Sequence, residues 1–172
     1  MRSTGEVMGI DLTVGLAFAK AQLSAGTRLP AGGRIFLSLA DRDKPVGVRA
    51  ARRFDELGFS LVATAGTAAA LADAGIPVDT VVAKLGEEGT NAVDLIAGGQ
   101  IDLVVNSPRG RGPRADGAHL RRAAAEARVP LLTTAAAALA AANGIAEWIN
   151  RDLTVRSLQS YHGRDGATAG AG

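Results

Sequence analysis

The chain has 172 residues, 47% of them hydrophobic and only 3% aromatic, so it can bury one core built from Val, Leu, Ile and Ala. It has no cysteine, which excludes disulfides, thiolate metal sites and cysteine nucleophiles, and its two histidines, His119 and His162, are too few for a histidine-rich metal site. The formal net charge of +2 is too small to imply nucleic-acid binding, and no aromatics interleave with Arg109, Arg111 and Arg114 to stack on bases. No apolar stretch approaches 18 uninterrupted residues and there is no signal-peptide core, so a cytoplasmic protein without a membrane partner is expected.

In chain order, residues 11–25 predict an amphipathic helix with Val14, Ala17, Phe18, Ala21 and Leu23 on one side. Turn-rich stretches at 24–27 and 29–33 follow, so residues 1–32 read as the tail of something larger and a linker. From Gly33 strands and helices alternate. A strand over 34–39 precedes a helix over 44–57 with Val48, Ala51 and Phe54 on its apolar face. A strand over 60–63 leads to a helix over 67–74, and a strand over 78–83 to a helix over 91–97. A strand over 103–105 ends at Asn106, followed by a Gly/Arg/Pro loop and a helix over 118–128. The last pair is a strand over 129–132 and an alanine-rich helix over 134–143, with Gly144 as its C-cap. Five short apolar strands alternating with helices predict an α/β fold, a three-layer Rossmann-like parallel sheet with helices on both faces, over 33–160. Residues from 153 add one short segment, and the Gly/Ala tract at 163–172 predicts disorder within a tail that starts at 161.

Residues 59–67, FSLVATAGT, carry the sharpest local signal. An apolar strand that turns at once into a helix leaves the first helical N–H groups unpaired at the positive end of the dipole, which suits an anion, above all a phosphate. Gly66 admits a ligand close to the backbone, and Thr64 and Thr67 add hydroxyls. In a parallel sheet ligands bind beyond the carboxyl ends of the strands. Those ends hold Lys44 in the turn after the first strand, Lys84 after the third, Asn106 and Ser107 after the fourth, and Thr133 after the fifth. Each residue has a plainer role open to it: a solvated lysine, a turn asparagine, or a helix cap at Thr67 or at Thr133 and Thr134. Together they predict a site for a small anionic ligand.

A family resemblance then appears in RSTGEVMGID (2–11), AFAKAQL (17–23), GRIFLSL (33–39), DELGFSLVATAGT (55–67) and VVNSPRGR (104–111). These segments resemble the C-terminal end of the large subunit of carbamoyl-phosphate synthase, from residue 2 to about residue 162. The resemblance implies the tail of an ATP-grasp synthetase unit followed by an allosteric domain with the methylglyoxal-synthase-like fold. It implies UMP or IMP as effector, held by Lys44, Thr64, Thr67, Lys84, Asn106 and Ser107, and ornithine near Thr133 with help from the upstream unit. The parent enzyme uses ATP and Mg2+ and works with a glutaminase small subunit, in pyrimidine and arginine biosynthesis. No cofactor, metal or catalytic residue is expected in this chain itself. The chain departs from the family where Ala65 replaces a histidine and Pro108 follows Ser107, removing an N–H and a hydroxyl. Methylglyoxal synthase, a lyase of dihydroxyacetone phosphate, is the enzymatic rival. It requires a carboxylate base where this chain has Gly89 and a histidine at a strand end, where this chain has none. A structural domain without a ligand is the third possibility.

Overall fold

The computed structural model describes residues 7–83, 87–107, 115–149 and 156–162. Lys84, Pro108, the three loop arginines and the tail from 163 lie outside the described residues. The five expected strands are β1 (Arg34–Ser38), β2 (Ser60–Thr64), β3 (Thr80–Val82), β4 (Leu103–Asn106) and β5 (Leu131–Leu132). They form one parallel sheet in the order β3-β2-β1-β4-β5. The helices are α1 (Val14–Ser24), α2 (Lys44–Glu56), α3 (Ala65–Asp73), α4 (Ala92–Ala97), α5 (Ala115–Glu126), α6 (Ala135–Ile149) and α7 (Leu158–His162). Among the described residues no helix is long and apolar enough to cross a membrane.

The strands read as continuous apolar runs because both sheet faces are covered. Alternate residues go to opposite layers. Ile35, Leu37, Leu61, Ala63, Leu103 and Val105 form one core with Phe54 of α2, Leu71 of α3 and Ile145 of α6. Phe36, Val62 and Val104 form the other with Ile96 of α4 and Leu120 of α5. With so few aromatics, the ring pair Phe54–Phe59, edge to face at 5.7 Å, supplies bulk where α2 turns back into β2. Gly58, at φ 84, makes that return, a conformation that side chains rarely adopt. Local signals hold the helix starts: Pro45 opens α2, and Asn91 caps α4 by accepting the Asp94 N–H at 3.0 Å.

Two expectations about the helices need correction. Gly144 is not a C-cap, because α6 runs on to Ile149. Nor does α1 bury the whole predicted face: Phe18 packs against the core, but Val14 is 80% exposed and Leu23 is exposed too, while Gly15, Leu16 and Ala19 are buried. One contact explains both. α1 crosses α6 so closely that a Cβ on Gly15 would stand 2.8 Å from the Gly144 nitrogen and 2.9 Å from the Asn143 carbonyl carbon. Glycine weakens a helix by about 1 kcal/mol, but here two of them let backbones meet. The large apolar residues used in the periodicity argument would have kept the helices apart. Thr13 reinforces the crossing, accepting the Leu16 N–H as N-cap while donating to Glu147 on α6 at 2.6 Å.

A polar cluster ties the segment before α1 to the short helix after α6. The Lys20 ammonium lies 2.5 Å from Asp11, donates to the Tyr161 hydroxyl at 3.2 Å and sits 5.8 Å from that ring's centroid. Burial works against the charge on Asp11, but hydrogen bonds from Lys20 and the Leu12 N–H, with attraction from Lys20 and Arg156, outweigh it and hold its pKa below the ordinary value of 3.8. Burial likewise opposes the Lys20 charge, and Asp11 and Tyr161 overcome it, raising its pKa. The lowered Asp11 pKa means its stabilising contribution is fully present above pH 3.8 and is lost as pH falls through the folded-state value.

Two stability predictions follow from these contacts. Gly144→Ala should lose a net ~1–2 kcal/mol despite alanine's better helix propensity, a fall of roughly 2–8 °C in Tm by circular dichroism. A rise in Tm would show that the α1–α6 approach is looser than described. Asp11→Asn removes the carboxylate 2.5 Å from the Lys20 ammonium, which should cost about 1–2 kcal/mol at pH 7, or roughly 2–8 °C. The gap between wild type and Asp11→Asn should narrow as the scan is repeated below pH 3.8. A gap that stays constant down to pH 2 would remove Asp11 as the titrating group.

Candidate functional site

The strand order makes one place unlike any other. β1, β2 and β3 are laid down successively in one direction, and the chain then crosses back to place β4 on the far side of β1. The chain therefore leaves β1 for α2 on one face and β4 for α5 on the other, and the diverging connections beyond the carboxyl ends of β1 and β4 make the crevice where such sheets take ligands.

The crevice is built on the end of β1, where the chain must leave the sheet and two consecutive N–H groups lose their ladder partners. Leu39 N–H donates to Thr67 Oγ1 and Ala40 N–H donates to Ser107 Oγ, each at 2.9 Å. One hydroxyl comes from just beyond β2, the other from just beyond β4. Ser107 also gives its own N–H to the Ser38 carbonyl at 2.9 Å. Both side chains are buried, Thr67 at 1% exposure. Thr64 Oγ1 donates to Thr67 Oγ1 at 3.1 Å, so the Thr67 oxygen receives two hydrogen bonds and its own proton remains to be given. An oxygen that accepts two hydrogen bonds is polarised into a stronger donor.

The FSLVATAGT turn has the predicted strand-to-helix form, with the helix starting earlier than expected. α3 begins at Ala65, so Thr67 lies inside its first turn and is not its cap. Thr64 occupies the cap position with extended backbone, and its side chain makes no capping bond. Ala65 and Gly66 are exposed. The first N–H groups of a nine-residue helix thus open toward the strand ends with the positive end of its dipole.

Asn106 stands opposite Ser38 in the β1–β4 register. Its side chain is on the α5 side, where a Cβ added to Gly117 would come within 3.7 Å of its Nδ2. The residue is only 8% exposed, but no fully buried side-chain nitrogen or oxygen lacks a partner among the described residues, so its amide, which has none there, keeps contact with solvent. An amide that reaches solvent and has no protein partner is open to a ligand's donor or acceptor.

Lys44 is the first residue of α2, on the same rim, and its ammonium is paired with Asp41 at 2.8 Å. Asp41 opens the 3-10 turn of residues 41–43 that follows Ala40. Sequence reasoning counted the lysine and missed the partner, although an acid three residues before a lysine was visible in DRDK. Thr133 is exposed at the end of β5, while its neighbour Thr134 caps α6 by accepting the Ala137 N–H at 3.1 Å. Lys84 falls outside the described residues. The structure therefore gathers Thr64, Gly66, Thr67, Asn106 and Ser107 around the β1 end, with Lys44 and Thr133 on the same rim. Among the described residues no group of three or more His, Asp or Glu side chains could hold a metal ion.

Comparison with known proteins agrees with this architecture. A family model described as an MGS-like domain matches residues 47–133. The chain is 51% identical over 163 residues to the carbamoyl phosphate synthase large chain of Rubrobacter xylanophilus, covering 94% of this chain and 15% of that protein. It is 49% identical to the carbamoyl phosphate synthase large chain, C-terminal section, of Methanopyrus kandleri, covering 96% of this chain and 30% of that protein. The large chain of Acidobacterium capsulatum is also 49% identical, with 94% and 15% coverage. This chain thus spans less than a third of the length of these relatives. With its all-parallel five-stranded sheet and the family model running from α2 to the end of β5, the chain belongs to the MGS-like domain family.

Proposed function

We propose that this chain is the regulatory domain of a cytoplasmic carbamoyl phosphate synthase large chain, binding a nucleoside monophosphate such as UMP or IMP in the crevice between β1 and β4. The observation that carries the proposal is the pairing of an uncapped α3 N-terminus with Asn106 at the topological switch point, a largely buried residue whose amide has no partner among the described residues and still meets solvent. A phosphate is met by the α3 N–H groups, the polarised Thr64–Thr67 hydroxyls and Lys44, with Lys84 adding charge from the next strand end. The Asn106 amide, deeper and uncharged, suits the ribose or base. Ornithine near Thr133 would require carboxylates from an upstream synthetase unit. The exposed apolar residues Val7, Met8, Leu12 and Val14 lie in the segment through which this unit would connect, and they suit contact with it. ATP, Mg2+ and a glutaminase small subunit would belong to the assembled enzyme.

The methylglyoxal synthase alternative is disfavoured by backbone as well as by sequence. Gly89 stands where the catalytic aspartate would be needed, and its φ of 120 is a conformation side chains rarely adopt. His119 is exposed on α5, away from the strand ends.

Calorimetric titration with UMP and IMP tests the proposal. At least one should bind, and Thr67→Ala or Lys84→Ala should weaken it. Asn106→Ala is the cleaner variant. Because its amide has no partner among the described residues, its loss should weaken UMP by about five- to tenfold while shifting Tm by no more than about 1–2 °C. Silence from UMP, IMP and ornithine at millimolar concentration would end the regulatory reading. Release of methylglyoxal from dihydroxyacetone phosphate would replace it with the lyase.

A further inference from the structure

The ion pair at the mouth of the crevice has a consequence for ligand affinity. Lys44 is 25% exposed, whereas Asp41 is 76% exposed. The two are three residues apart, so the carboxylate is tethered beside the ammonium at all times. The turn also holds Arg42 against Asp43 at 3.6 Å, so its four charges cancel locally. An incoming anion therefore finds no unbalanced positive charge on this turn. It must take Lys44 from a carboxylate that is already there.

We infer that Asp41 is a built-in competitor for the anion-binding site, setting the ligand concentration at which Lys44 is released to a phosphate. This rests on the nucleotide reading above and deepens it. Exposure makes the exchange feasible, because a surface ion pair is worth little. The competitor also keeps the Lys44 ammonium oriented when the site is empty, so the phosphate exchanges one partner for another without ordering a free side chain. Asp41 remains near the bound phosphate after displacement, and its negative charge continues to oppose a dianion, more strongly at low salt.

Asp41→Asn should tighten UMP binding about two- to fivefold at low ionic strength, and the gain should shrink as salt is raised. Asp41→Glu, which keeps the charge, should stay close to wild type. In a Lys44→Met background Asp41→Asn should lose most of its effect, giving a double-mutant coupling between the two positions. Unchanged or weaker UMP binding by Asp41→Asn, with wild type binding normally, overturns the competitor role and leaves the nucleotide site standing. If UMP fails to bind wild type, the nucleotide reading fails. Inorganic phosphate titrated into wild type and Asp41→Asn then decides the role of Asp41. Tighter binding by the variant supports it, and equal or undetectable binding by both overturns it.

Discussion

Everything about the site depends on how β1 ends. The central strand of a parallel sheet must stop, and when it stops its N–H groups lose the neighbours that satisfied them. A buried N–H without an acceptor costs about 1–3 kcal/mol, so the chain has to find acceptors where the sheet provides none. Here they are two hydroxyls, Thr67 for Leu39 and Ser107 for Ala40, reaching in from the strand on either side. These two bonds fix the distance between the ends of β2, β1 and β4. They set the spacing of the crevice and aim the 3-10 turn, with Asp41 and Lys44, along its rim.

A second constraint acts at a distance from the crevice. α6 follows β5 and packs in the same core as α2 and α3, while α1 lies against α6 through the Gly15–Gly144 contact. The Lys20–Asp11–Tyr161 cluster then joins the residues before α1 to those after α6. The segment that read as the tail of a larger unit and a linker is therefore fastened to the domain by close backbone contact and by a buried charge pair. On the proposed function this gives the fold a physical route between the effector crevice and whatever precedes α1, since β1, α2, α6 and α1 form one continuous packed series.

The sheet was legible in the sequence because its strands are buried on both faces and each is bounded by turn residues. All five were recognisable from their apolar runs, and the strand-to-helix turn at TAGT from its composition. Helix packing was less legible. Periodicity weighs residues by size, so it assigned Val14 and Leu23 to the buried side of α1, where the partner helix demanded glycine and alanine. Gly144 looked like punctuation for the same reason: a glycine that ends a helix and a glycine that lets another helix approach are the same letter. At the site, sequence identified the polar groups on the rim but not the division of labour among them, because the sequence does not show which hydroxyl accepts a backbone N–H 28 or 67 residues away.

That division matters for interpreting any loss of binding. Thr67 and Ser107 each serve the backbone of β1 whether or not a ligand is present, so removing either hydroxyl orphans a buried N–H and reshapes the crevice before any phosphate contact is lost. Lys44 and Asn106 are different. The first has a replaceable partner and the second has none among the described residues, so their contribution is spent on whatever enters. On the proposed function, a phosphate site assembled in this way separates rigidity from recognition. Buried hydroxyls hold the frame, with the Thr67 proton left over for the ligand, while the α3 N–H groups, an exchangeable ion pair and an open amide supply the remaining contacts. Binding then requires little reordering of the frame, and affinity can be tuned at Asp41 without disturbing the bonds that keep β1 in place.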